Sequence, residues 1–309
     1  LDVELSTHIG AFVGRFERAG ALSRSEPSDA EWWRDFGDDY SGRASAMSSQ
    51  RASAASGGVG GSSPPCHLVS LSGGVDSMVL AHVLVARRGR LGGALVCAVH
   101  INYANRAESD AEEEYLRRWC SARRVPLLVR RVDEIRRGTT PREQYERESR
   151  RIRFDAYREA MAQFGAGAVL FGHHLGDLQE NVVSNVMKRA NVLDIGGIAE
   201  VSLIDGVPIW RPMLPHPKSA VYCYAHSYGV PYFKDTTPKW STRGRLRNEL
   251  LPLLASIYGE GFAGNLSALA RESARCAELL ESQLFRAFKS SVRASPLAVW
   301  FDTAPWASL

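Results

Sequence analysis

The hexapeptide Ser72-Gly73-Gly74-Val75-Asp76-Ser77 constrains this chain more than any other stretch, because of what stands on either side of it. His67 to Leu71 is short, apolar and partly β-branched, which predicts a buried strand over 67–71. Beyond the loop, Met78, Val79, Val83 and Val85 recur at helical spacing and predict a helix over 76–88. Two glycines between a strand and a helix allow a turn with positive φ and close approach by a ligand. The first amides of the helix are unsatisfied and the macrodipole adds positive charge there, so the arrangement is a cradle for phosphate. Ser72 and Ser77 add hydroxyls, and Asp76 could hold a magnesium ion against the anion. The plainer alternative is a tight turn with Asp76 as a helix cap. No lysine of the G-x-x-x-x-G-K-[ST] kind stands in the loop. That absence suits a grip on pyrophosphate that leaves the α-phosphate of a nucleotide open to attack.

Downstream, further strands are expected over 94–100, 126–132 and 168–172, with helices near 108–123, 143–163 and 177–189. Such alternation predicts an α/β fold, a doubly wound, mainly parallel sheet with helices on both faces, followed by a helical C-terminal segment. Ligands of these sheets bind beyond the carboxyl ends of the strands. Two of those ends carry histidine, at His100 and at His173-His174, and both follow the phosphate loop in one sheet. His173 and His174 face opposite sides of an extended chain, so one of them at most points into a site. Asp177 and Glu180, three apart at a helix start, share a face. They could cap the helix, or hold magnesium and a substrate amine.

Residues 1–66 read as an N-terminal extension. It comprises amphipathic pieces ("STHIGAFVGRFERAGAL", "DAEWWRDF") and a Ser/Gly/Ala-rich linker over 41–65. Residues 67–250 form the expected catalytic domain and 251–309 the helical segment, with a strand expected in "PLAVWFDTAPW". Net charge is only +4, but residues 115–158 hold 14 arginines against six acids. That density points to a phosphate-rich partner such as RNA; its alternative is a solvated helix face, since "REQYERESRR" alternates signs at helical spacing. Five scattered cysteines without a C-x-x-C pair argue against a zinc ribbon, an iron–sulfur cluster or a disulfide framework, and imply a reducing compartment. No apolar run approaches the roughly 20 residues that span a bilayer, so no membrane is expected. The chain starts at Leu1. The expected location is intracellular: a mitochondrial or plastid matrix if a presequence has been removed, otherwise the cytoplasm.

The loop resembles that of the N-type ATP pyrophosphatases. "SGGVDS", "HINYANR", "QYERESRRIRFDAY", "GHHLGDLQEN", "RPML" and "KDTTPKWSTRGRLRNELLPLL", in that order over roughly residues 67–255, resemble the tRNA(Ile)-lysidine synthetase family. The related tRNA 2-thiocytidine enzymes share the loop but use C-x-x-C cysteines that this chain lacks. The resemblance implies that ATP adenylates the wobble cytidine of tRNA and that the amine of free lysine then displaces AMP. It implies that Ser72, Gly73, Gly74, Val75 and Ser77 bind ATP together with His100 and His173, and that Asp76 and Asp177 hold magnesium. Asp76, Asp177 and Glu180 become the catalytic set, with Asp177 and Glu180 receiving the lysine amine. Arg147 and Arg151 match the arginines of the family's E-x-x-x-R-x-x-R-type helix. Arg243 and Arg247 match its R-N-x-x-R segment near ATP and RNA.

The chain departs from the family pattern at several positions. Tyr103 stands where a second histidine is usual, Gly176 replaces the first acid of a D-D pair, Asn181 replaces a threonine, and Gly244 sits where asparagine is typical. Beyond about residue 290 there is no room for the family's tRNA-gripping C-terminal domains. A second expectation therefore stands beside the ligase: a protein of this fold, with lost or altered catalysis, binding RNA or nucleotide within a larger ribonucleoprotein or protein complex.

Overall fold

The computed structural model describes residues 2–22, 66–91, 93–235, 237–294 and 298–302. The described residues fall into two compact units, one built from segments 1–14 and 64–275, the other from 15–63 and 276–309. The linker expected over 41–65 and the piece "DAEWWRDF" lie outside the described residues.

The larger unit begins with the first part of helix α1 (Asp2–Leu22), where Leu5, Ile9, Phe12 and Val13 are fully buried. Their i, i+4, i+7, i+8 spacing makes one apolar stripe, and Phe12 meets Trp210 edge to face at 6.3 Å. The start of the N-terminal extension is thus part of the core. Then follow β1 (Cys66–Ser70), α2 (Val75–Ala86), β2 (Leu95–Asn102), α3 (Ser109–Ala122), β3 (Leu127–Arg131), α4 (Arg142–Phe164), β4 (Ala166–Leu170) and α5 (Leu175–Met187). After these come β5 (Val201–Ile204), β6 (Val207–Trp210) and α6 (Lys218–Ser227). Helices α7 (Thr242–Arg245), α8 (Leu251–Tyr258), joined to α7 by a π-helical turn at Leu246–Leu250, and α9 (Gly261–Leu280) complete the sequence.

The sheet has the order β3-β2-β1-β4-β6-β5, parallel throughout except for β5, which runs antiparallel to β6. The expected strands and helices therefore form the doubly wound sheet, with edges moved by one to two residues. The hairpin β5–β6 is an addition. Its turn is Asp205-Gly206, both with positive φ (50° and 74°), the two-residue turn that Asp-Gly favours because its twist matches that of the strands. The C-terminal strand expected in "PLAVWFDTAPW" is represented by Val299–Trp300, which pairs antiparallel with Arg293–Ala294 in the smaller unit.

Strand order places the site. The chain winds outward from β1 to β2 and β3, then returns to pair β4 on the other side of β1. The β1/β4 boundary is thus the switch point, where a crevice opens beyond the carboxyl ends. The phosphate loop leaves β1 there and Phe171-Gly172-His173 leave β4. The two approach so closely that a Cβ at Gly172 would lie 2.8 Å from the Asp76 carbonyl carbon and 2.9 Å from the Ser77 nitrogen. Both neighbours are backbone and cannot yield cheaply. Gly172→Ala is therefore expected to cost about 1–3 kcal/mol through overpacking and to lower Tm by several degrees. Gly167→Ala, within β4 and with open space around it, should leave Tm within a degree or so; equal melting of the two variants by circular dichroism would refute the close-packing account.

Candidate active site

The loop is held by its own side chains. Gly73 takes φ +84°, accepts at its carbonyl oxygen from the Phe233 amide at 2.9 Å, and has the Phe233 ring where a side chain would go. The Ser77 hydroxyl donates to the Gly74 carbonyl at 3.0 Å, accepts from the Ser72 amide at 3.2 Å and meets the Ser72 hydroxyl at 3.1 Å. Gly74 is the N-cap of α2. Among the described residues no side chain caps the start of α2, the arrangement that an anion site at a helix N-terminus uses.

Around this helix start lies a cleft of about 370 Å³, lined among others by Ser72, Gly74, Asp76, Ser77, His173, Asp177, Lys218, Arg243 and Arg247. Lys218 arrives from the first turn of α6 and grips both oxygens of Asp76 at 2.6 Å. The loop that lacks a lysine in sequence is thus given one in space, 142 residues later. A rule already in use could have found it: β6 is another strand ending at the crevice, and Arg211 and Lys218 follow it closely. Arg211 is 2% exposed; its Nε donates to His173 Nδ1 at 3.1 Å, and its Nη1 to the Ala199 carbonyl and the Ser202 hydroxyl, each at 2.7 Å.

The two adjacent histidines divide as their alternation requires. His173 lines the cleft, and burial pushes its pKa down to about 4. It is neutral near pH 7, and because Nδ1 accepts from Arg211 its proton resides on Nε2. His174 is buried and caps α5: its Nδ1 accepts from the Gly176 amide at 3.0 Å, while its own amide donates to Asp177 Oδ2 at 2.9 Å. A Cβ at Gly176 would come within 2.9 Å of that ring, so the glycine lets the cap close tightly. His174 Nε2 stands 3.9 Å from Asp76 Oδ1 and 3.6 Å from Asp177 Oδ2, so both carboxylates share this imidazole as a neighbour.

Asp177 and Glu180 are 6% and 4% exposed, and at that depth a carboxylate needs compensation. It comes from the α7 segment. Arg243 Nε donates to Glu180 Oε2 at 2.8 Å and Arg247 Nε to Glu180 Oε1 at 2.7 Å. Arg243 Nη2 pairs with Asp177 Oδ1, and Arg247 Nη1 with Asp235 Oδ2 at 2.9 Å. Burial works to raise the Asp177 pKa, but the His174 ring and amide and the Arg243 guanidinium beside it outweigh that and hold the carboxyl below its usual range. Among the described residues no three acidic, histidine or cysteine side chains gather as ligands for one metal. Magnesium is commonly held by one or two carboxylates plus phosphate oxygens, and the hard oxygen donors of Asp76 and Asp177 fit that requirement.

Three of the expected site residues are placed elsewhere. His100 lies behind the loop, buried, its Nδ1 2.8 Å from the Leu71 carbonyl, where it braces the strand end rather than lining the cleft. Arg147 and Arg151 are on the exposed face of α4. Arg147 lies 3.6 Å from Glu148, and Arg151 pairs with Glu148 and Asp155 at 2.9 and 3.1 Å.

Residues 47–254 match the PP-loop domain family. The chain is 30% identical to a tRNA(Ile)-lysidine synthase of Chlamydia pneumoniae, over 70% of this chain and 66% of the relative. It is 34% identical to that of Exiguobacterium sibiricum, over 62% and 44%, and 29% identical to that of Enterococcus faecalis, over 70% and 46%. The alignments thus span just under two thirds of the chlamydial relative and under half of the other two. Among solved structures, a U34-tRNA thiolase from Methanococcus maripaludis, 18% identical, superimposes with a TM-score of 0.55 over 70% of this chain and 74% of that one, a likeness of fold.

The site makes a prediction about pH. The unfolded His173 binds a proton below about 6.5, whereas the folded one does so only below about 4. Between those values the unfolded chain holds more protons, so stability rises with pH and is lost as pH falls. His173→Gln keeps an acceptor for Arg211 and removes the titration. Denaturant unfolding of wild type should lose on the order of 1–2 kcal/mol more than the variant between pH 7 and pH 5; parallel pH profiles would contradict a buried, neutral His173.

Proposed function

The chain belongs to the PP-loop family, and on that premise we propose that it is an ATP-dependent ligase acting on tRNA, with the wobble cytidine of tRNA(Ile) as acceptor and lysine as second substrate. The observation that carries this reading is the convergence of an uncapped helix start, Lys218, Arg243 and Arg247 on one cleft at the switch point of the sheet. That set suits a triphosphate whose β and γ groups leave together. The names of the relatives support the choice of tRNA and lysine.

In this reading the loop amides and the Ser72 and Ser77 hydroxyls take the β- and γ-phosphates. Lys218, already beside Asp76, faces the same anion. The base oxygen attacks the α-phosphorus, the bond to the bridging oxygen breaks, and pyrophosphate leaves with the charge that the loop neutralises. The amine then attacks the activated base carbon and AMP departs with the former base oxygen. Glu180 holds Arg243 and Arg247 by their Nε atoms while Asp177 takes Arg243 by Nη2, and the two acids supply the negative pocket for the amine. Neutral His173 offers an N–H donor from Nε2. Asp76 and Asp177 would hold a magnesium ion, which when bound would supply charge neutralisation at the phosphate oxygens.

The test is tRNA(Ile)-dependent ATP–pyrophosphate exchange, followed by addition of lysine. Exchange is expected without lysine, and AMP release should become stoichiometric with lysine incorporation. Asp76→Asn removes the partner of Lys218 and a metal oxygen charge, and should lower AMP formation about a hundredfold or more with little change in Tm. Formation of ADP, or full activity in this variant, would overturn the reading.

A further inference from the structure

Trp240 is 74% exposed, yet the backbone that presents it is tightly held. The Ser241 hydroxyl and amide both donate to the Pro238 carbonyl, at 2.7 and 3.0 Å, and the Gly244 amide donates to the Ser241 hydroxyl at 3.0 Å. A Cβ at Gly244 would collide with that same carbonyl, so the turn sits directly on the start of α7. A large aromatic ring left in water on a fixed support is not the product of a loose loop. Arg137, from the segment after β3, places its guanidinium 5.6 Å from the ring centroid. In sequence Trp240 lies three residues from Thr237 and three from Arg243, both of which line the cleft. Three residues span at most about 10–11 Å, so Trp240 stands within that reach of the cleft lining, at its rim.

The charges at this rim differ from those of α4. On that helix Arg142, Arg147, Arg150, Arg151 and Arg158 each have an acidic neighbour. At the rim Arg136, Arg137 and Lys239 are exposed, and among the described residues none has a carboxylate partner; the nearby Asp133 and Glu134 pair with Arg131 and Arg130 instead. Unneutralised cations around an exposed ring match what single-stranded nucleic acid offers: phosphates for the cations and a π-face for the ring. A protein partner would call for a broader apolar patch or carboxylates among the cations.

We propose that Trp240 is a stacking platform for an unpaired nucleobase of the acceptor RNA, with Arg136, Arg137 and Lys239 receiving the adjoining phosphates. The assignment rests on the ligase reading and adds the surface by which an RNA loop is presented to the cleft. It also places the electrostatic contact at this rim and not on α4.

The experiment compares wild type, Trp240→Ala and Trp240→Phe in binding an anticodon stem-loop of tRNA(Ile) and the duplex of its stem alone, with ATP affinity measured in parallel. Trp240→Ala should weaken stem-loop binding roughly ten- to a hundredfold, leave duplex binding and ATP affinity unchanged, and keep the wild-type melting temperature. Trp240→Phe should restore most of the loss. Arg136→Gln with Arg137→Gln should flatten the salt dependence of stem-loop binding, whereas Arg147→Gln with Arg151→Gln should not. Equal stem-loop binding by Trp240→Ala and wild type overturns the platform while leaving the ligase reading intact. A loss of ATP affinity in Trp240→Ala overturns it by placing the residue in the nucleotide cleft. A wild-type protein without affinity for the stem-loop overturns both.

Discussion

Asp177 and Glu180 are carboxylates almost wholly removed from water at the start of α5, and the rest of the site is arranged around that fact. An uncompensated buried charge is severely destabilising, so these two acids oblige the chain to bring cations to them. Arg243 and Arg247 come from a segment more than sixty residues later. Asp177 also closes the cap of α5 with the His174 amide, so a single side chain terminates a helix, binds a guanidinium and borders the cleft. The fold of the 235–247 segment and the chemistry of the crevice are consequently one problem. Removing the acids would free the arginines, and removing the arginines would strand the acids.

The same logic extends to the phosphate loop. Gly172 lets β4 pass against α2 closely enough that Asp76 and Asp177 share the His174 imidazole as a neighbour. Lys218 then answers Asp76 as the arginines answer Glu180. Each of these acids is matched by a cation on a different element, so the site is tied together by charge across α2, α5, α6 and α7. These cations are also the groups a polyphosphate would recruit. Ligand entry would therefore exchange internal partners for phosphate oxygens, a smaller electrostatic change than charging an empty crevice.

Sequence reasoning found the elements governed by local pattern. Strand periodicity and helix spacing located β1 to β4 and α2 to α5 within a few residues, and the glycine loop identified the switch point. It missed what depends on distant pairing. Nothing local to Lys218 announces that it will meet Asp76. Arg211 looks like a solvent residue until β6 buries it under His173. The β5–β6 hairpin did carry a local signal, Asp205-Gly206 between two short apolar runs, but alternating strands and helices predict parallel units alone. His100 had the right residue type at the right strand end, but its ring nitrogen is directed to the Leu71 carbonyl.

The arginine-rich stretch shows most clearly where counting residues and reading a surface part company. A tally over 115–158 sums charge along the chain, whereas a ligand meets charge that neighbours have left over. On α4 the i, i+3 and i, i+4 spacing that makes the arginines numerous also supplies their acids, as Arg151 with Glu148 and Asp155 illustrates, and Asp205 at the hairpin turn reaches over to Arg150. Exposed pairs of this kind contribute little to stability, but they do cancel field. The loop after β3 has no helical register, so Arg136 and Arg137 have no acid placed a turn away. A lower count thus leaves more unpaired charge at the rim of the cleft than on the helix that holds more of these arginines than any other element.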